Sequence, residues 1–135
     1  MPASLRFVGL LLAMAVVAGA ASVFVLFRQD SARAQLIAEQ VTGGHVAAGK
    51  ADITRFGCGA CHQINGIAGA DGRVGPSLEG IAVRATIAGR LPNQPAQMMR
   101  WLRAPQHVVP GNGMPDQPMT PRDARDLSAY LYTLR

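Results

Sequence analysis

The chain opens on an uncharged apolar run from Phe7 to Phe27, 21 residues long. As a helix such a run rises about 30 Å, the hydrocarbon thickness of a bilayer. Arg6 and Arg28 bracket it, placed to snorkel toward the two headgroup regions. Beyond it the pattern turns polar. Residues 29–45 contain a short helix-like stretch, Ala32 to Gln40, end in Gly43-Gly44, and read as a linker. From Val46 a helical pattern returns, with Val46, Ile53 and Phe56 on one side. Between His62 and Thr120 glycine and proline crowd the chain, and eight of the nine prolines fall at or after Pro76, which predicts mostly loop. A helix is predicted from about Gln94, with Pro95 at the first helical position and Met98, Trp101 and Leu102 at i, i+3, i+4, ending before Pro105. The last helix has Thr120 as N-cap, Pro121 at N1 and Asp123 at N3 in a capping-box arrangement, and an apolar stripe of Leu127, Tyr130, Leu131 and Leu134. No alternating strand and no repeat is legible. The expected fold class is therefore all-α: an anchor segment 1–28 whose transmembrane helix spans about 7–27, a linker 29–45, and a small helical domain 46–135.

Composition narrows what that domain is. Outside the apolar run its only aromatics are Phe56, Trp101, Tyr130 and Tyr132, a thin core for a domain of this size, which points to a prosthetic group. The 135 residues carry 13 Lys and Arg against 8 Asp and Glu, a net charge of +5. The basic residues are nearly all arginine and are scattered, which excludes a nucleic-acid arm. Ala18-Gly19-Ala20 and Ala32-Arg33-Ala34 resemble signal-cleavage sites. Because the apolar run is longer than the 7 to 15 residues usual for a signal peptide core, an uncleaved anchor embedded in lipid is preferred, with a cleaved soluble carrier as the alternative. One arginine before the run and two after it, Arg28 and Arg33, leave orientation unset by charge.

The chemistry lies in Cys58-Gly59-Ala60-Cys61-His62, which contains both cysteines of the chain. C-x-x-C-H is the attachment signature of c-type haem. On a helical turn the thiols at i and i+3 share a face and can reach two vinyl groups of one porphyrin, while the imidazole at i+4 is carried beneath the iron. Competing readings are a disulfide, half of a zinc site, or a thioredoxin-like pair. Zinc needs a second ligand cluster, and only His45 and His107 remain. A thioredoxin motif needs alternating strands and helices, which the pattern lacks.

With these residues in view, positions 46–135 resemble a class I monohaem cytochrome c. Gly49 stands nine residues before Cys58, as that family's helix-crossing glycine does, although Ile53 replaces its aromatic companion. Gly75-Pro76-x-Leu78, followed by Gly80 and Arg84, matches the stretch in which the proline carbonyl accepts the proximal histidine N–H and the arginine approaches a propionate. Pro110-Gly111-Asn112-Gly113-Met114 resembles the loop ending in the distal methionine, and Ala129-Tyr130-Leu131 the C-terminal helix that crosses the first. The run from Val74 to Tyr130, including LPNQPAQMMRWLRAPQ, is similar to the cytochrome c domain fused to subunit II of some bacterial haem-copper oxidases, here with its own membrane helix and without a copper site. The resemblance also implies that the Trp101 indole N–H reaches a propionate.

For the second axial ligand the candidates are Met98, Met99, Met114, Met119, His45 and His107. A thioether stabilises ferrous iron and suits a carrier near the oxidising end of a chain. Met98 and Met99 fall in the helix with Trp101 and read as core. Met119 precedes the Thr120 cap, where an apolar residue commonly packs on the helix. Met114 sits in a Gly-rich loop able to approach a flat ring, and is preferred. The expected cofactor-binding set is thus Cys58, Cys61, His62, Pro76, Arg84, Trp101 and Met114, with His62 and Met114 on the metal of one covalently attached haem c.

The expected function is single-electron transfer in a respiratory chain, to or within a terminal oxidase complex, by an electron carrier that is not itself an enzyme. Its partner is a respiratory membrane complex or redox protein. The expected location is the bacterial inner membrane, single-pass, with the haem domain on the periplasmic side, because such haem attachment implies a site beyond the cytoplasmic membrane. Alternatives are a haem subunit of a periplasmic dehydrogenase, a five-coordinate enzyme or gas sensor, and a structural subunit. The domain carries ten basic and six acidic residues, a mild bias toward an acidic docking surface.

Overall fold

A computed structural model describes residues 2–135, which divide into two compact units, one up to Arg33 and one from Ala34 to Arg135. Helix α1 (Ala3–Thr42) runs through the first unit from Ala3 onward, and its Leu10, Leu12, Val16, Val17, Phe24 and Leu26 side chains are exposed. By length and composition α1 is able to cross a membrane. It overruns the expected span of 7–27 at both ends, and runs on past Phe27 because no glycine or proline lies between Gly19 and Gly43 and the helix formers Ala, Gln, Leu and Glu dominate residues 34–40. The segment 29–45, expected as a linker, is consequently helical as far as Thr42. Its Ala34, Ala38 and Thr42 side chains are buried within the second unit.

The second unit is built from α2 (Val46–Arg55), α3 (Pro95–Arg103), the single turn α4 (Pro105–Val108) and α5 (Pro121–Leu131). Helix α5 packs against both α2 and α3. At the crossing with α2 the backbones touch: a side chain at Gly49 would overlap the carbonyl of Asp126. Helix α2 has no side-chain cap of its own at His45. Instead the His45 N–H donates to the buried Asp126 carboxylate at 2.7 Å, and the Val46 N–H donates to Glu39 at 2.9 Å. Two otherwise orphaned donors are satisfied from other elements. Helix α5 starts on the expected capping box between Thr120 and Asp123 with Pro121 in the first turn. It stops at Leu131, one turn before the end of the predicted apolar stripe. Arg55 pairs with Asp52 at 2.9 Å and also with Asp123, tying the end of α2 to the start of α5.

The expectation of no strand is corrected by a two-stranded hairpin, β1 (Thr86–Ile87) and β2 (Leu91–Pro92), with Ile87 opposite Leu91. Strands of two residues are too short to show alternation. Their turn places Ala88 and Gly89 at φ of 52° and 65°, the left-handed conformation that tight hairpin turns demand. The largest fully buried side chains include Ile53, Ile64, Ile87, Met98 and Leu127. Ile53, Ile87, Met98 and Leu127 also border a cavity, so the thin core encloses space of its own.

Candidate haem site

Cys58 to Ala60 form one turn of 3-10 helix. The turn is extended by the His62 N–H, which donates to the Cys58 carbonyl at 2.9 Å, the bond between positions i+4 and i that the motif predicts. Cys58, Cys61 and His62 consequently border the same cavity, which holds about 480 Å³. Both cysteines are free thiols rather than a disulfide. Burial pushes the Cys58 thiol above its ordinary pKa. Among the described residues no group of three His, Cys, Asp or Glu side chains is arranged to hold a metal ion.

The imidazole is held from behind. His62 Nδ1 lies 2.7 Å from the carbonyl oxygen of Pro76. A carbonyl can only accept, so Nδ1 carries the proton and Nε2 keeps a free lone pair for a metal. Gly75 makes room for this arrangement, since any Cβ there would overlap the His62 ring. Most of the cavity wall is apolar, with Ile53, Phe56, Leu78, Ile81, Leu127 and Leu131 contributing.

Three methionines reach this cavity: Met98, Met114 and Met119. Met119, expected to staple α5, is 6% exposed and serves as cavity wall as well as core. Met99, His107 and His45 do not border it. Met114 differs from the other two in how its backbone is held. Its N–H donates to Asn112 Oδ1 at 2.7 Å, and its carbonyl accepts from Gln106 Nε2 at 2.7 Å. Gln106 Nε2 also donates to the Asn112 carbonyl at 2.8 Å, while its Oε1 accepts the Gly111 N–H at 3.0 Å. The Asn112 amide donates to the carbonyls of Pro105 and Val109 at 3.0 and 2.7 Å.

Trp101 and Arg84 also border the cavity. Among the described residues the Trp101 indole N–H donates to no protein acceptor. Arg84 Nη2 donates to the carbonyls of Ser77 and Glu79 at 2.6 and 2.8 Å, an anchorage of the guanidinium at the cavity that the sequence did not suggest. Paired thiols, an oriented imidazole with a free nitrogen, thioethers and apolar walls around one cavity fit a covalently attached haem.

Residues 46–135 match the family model described as cytochrome c. The chain belongs to the cytochrome c family. Membership makes it a haem-binding electron carrier. A 79-residue stretch is 37% identical to the cytochrome c oxidase subunit 2 of Alkalihalophilus pseudofirmus, covering 58% of this chain and 22% of that protein. The chain thus spans about a fifth of the length of this relative. No solved structure matches it significantly.

Within this cytochrome the residues that sequence reasoning missed are Gln106 and Asn112. The available signal was two side-chain amides in a stretch too rich in glycine and proline for a regular ladder. Backbone groups there have to be satisfied by side chains.

Proposed function

We propose that this cytochrome is a membrane-anchored c-type carrier moving single electrons in a bacterial respiratory chain, to or within a terminal oxidase complex. Residues 1–28 form the anchor, and the domain 46–135 lies on the periplasmic side of the inner membrane. The observation that carries the reading is the meeting of Cys58, Cys61, His62 and Met114 at one apolar cavity. When bound, a haem iron supplies a one-electron couple. The chain's single C-x-x-C-H motif limits attachment to one haem, through Cys58 and Cys61. Pro76 orients His62 so that Nε2 is free and would hold the iron, and Met114 would supply a thioether as its second protein donor, a soft ligand that favours the reduced state. With His62 and Met114 both donating to it, a bound haem iron would be closed to oxygen, which supports an electron carrier over an enzyme. Trp101 and Arg84 hold donors toward the propionates. The likeness to an oxidase subunit supports the terminal-oxidase assignment, and the apolar length of α1 supports the anchor.

The test is fractionation of native membranes. The haem absorbance is expected to resist a high-salt wash, to leave with detergent, and to stay on the polypeptide after acidic organic extraction. Freely extracted pigment overturns the covalent assignment. A soluble form beginning near Ala21 or Gln35 overturns the anchor.

A further inference from the structure

Arg84 is the only Lys, Arg, Asp or Glu among the described residues that borders the haem cavity. The ion pairs recorded among the described residues belong to Arg55 and Arg122, so the Arg84 charge has no carboxylate partner among them. Its Nη2 is spent on the carbonyls of Ser77 and Glu79, while its Nε and Nη1 donate to no protein acceptor among the described residues. The backbone that carries it is gripped from two sides. Asn93, which follows β2, donates from Nδ2 to the carbonyls of Ile81 and Arg84 at 2.8 Å each, and its own N–H donates to the Ala85 carbonyl at 3.1 Å. From the segment after α5, the Tyr132 hydroxyl donates to Asn93 Oδ1 at 2.9 Å, and the Leu134 carbonyl accepts the Ala82 N–H at 3.0 Å. Neither Asn93 nor Tyr132 borders the cavity.

A carbonyl only accepts, so Nδ2 has to face Ile81 and Arg84, and the amide oxygen is left to take the Tyr132 hydroxyl. With its donors and its acceptor all engaged, the Asn93 amide has one orientation, and a turn too irregular for a ladder is fixed by a side chain. A unit charge beside an apolar cavity acts across several ångströms and weakens with distance. A cation so placed favours the form of a bound haem that holds the added electron, and it favours ionised carboxylates. We propose that Asn93 and Tyr132 are positioning residues, which hold Arg84 with its free donors toward the haem carboxylates and thereby raise the preference of the iron for the reduced state. The inference rests on the carrier reading and deepens it, since it assigns part of the control of the potential to two residues that do not reach the cavity.

The test uses the detergent-solubilised full chain with its haem, equilibrated with redox mediators at one fixed solution potential, and reads the ferrous-to-ferric ratio from the absorbance. Arg84→Gln is expected to lower that ratio roughly tenfold, and Asn93→Leu, close in shape but without the amide, roughly threefold. Tyr132→Phe, which loses only the hydroxyl, is expected to lower it less and in the same direction. Because the effect passes through Arg84, Asn93→Leu added to Arg84→Gln is expected to change nothing further. An Asn93→Leu chain with a lowered urea midpoint and a wild-type ratio would have lost a structural contact only, and overturns the proposal. So does an equal fall with and without Arg84, or a wild-type ratio in Arg84→Gln. A wild-type ratio in Tyr132→Phe overturns the part given to Tyr132, and the whole where Asn93→Leu fails to retain haem. The ratios are read on pigment still held by the chain, so their failure strikes the positioning, whereas freely extracted pigment strikes the carrier reading.

Discussion

The crossing of α2 with α5 and the loop from Pro105 to Met119 border one cavity and are held by opposite means. At the crossing the helix interiors satisfy their own backbone, only the first donors of α2 being met from Asp126 and Glu39, and closeness comes from the missing side chain at Gly49. In the loop there is little ladder, and the amides of Gln106 and Asn112 take its place. The scaffold is therefore sensitive to added volume, and the loop to the loss of a hydrogen-bonding group. One chain thus presents a rigid wall carrying Ile53 and Leu127 and a stitched wall carrying Met114.

Substitution at Gly49 is expected to do the most damage. Gly49→Val forces two helix backbones apart and should lower stability by about 3 kcal/mol, read as a shift in the urea midpoint of the holoprotein. A wild-type midpoint would mean that the crossing is not close-packed. Gln106→Ala removes three hydrogen bonds that secure the loop and should cost about 2 kcal/mol. Its effect is local: amide exchange should quicken across residues 106–114 while α5 keeps its protection. Uniformly faster exchange would show that the loop and scaffold are one cooperative unit, and the contrast would fail.

The smallest effect is at the junction of α2 and α5. Hydrogen bonds from Thr120, with the Arg55 guanidinium beside it, hold the Asp123 carboxyl below its ordinary 3.8, at about 2. A depressed carboxylate stabilises the fold above its unfolded pKa and loses that contribution as pH falls through the folded one. Asp123→Asn should thus be slightly less stable than wild type above pH 3.8, with the gap closing toward pH 2. A gap constant across that window would show that the charge on Asp123 contributes nothing.

Legibility in the sequence followed the same division. The helices with strong local signals were readable: Pro95 opening α3, and Thr120, Pro121 and Asp123 opening α5, where caps and periodicity act within one turn. The Cys58 to His62 turn was readable because its spacing is itself the geometry. The stretch from Ala32 to Gln40 was legible as helix-like but not as part of the domain, because a polar segment without a strong apolar stripe reads as linker until Ala34, Ala38 and Thr42 find a partner surface. The hairpin at Thr86 to Pro92 was too short to show a period. In the loop, the sequence singled out Met114 but could not show Gln106 reaching across it, since that contact depends on the folded path of the chain. Met119 was legible as apolar, and only packing reveals that it lines the haem cavity.

The central claim is that the stitched loop, through Met114, supplies the distal thioether, and a paired substitution tests it most directly. Carbon monoxide binding to the ferrous protein and the weak near-infrared sulfur-to-iron band of the ferric protein are to be recorded for Met114→Leu and Met119→Leu. Met114→Leu is expected to lose the band and to admit carbon monoxide, while Met119→Leu keeps the band and excludes the gas. Loss of the band in Met119→Leu with its retention in Met114→Leu would contradict the account.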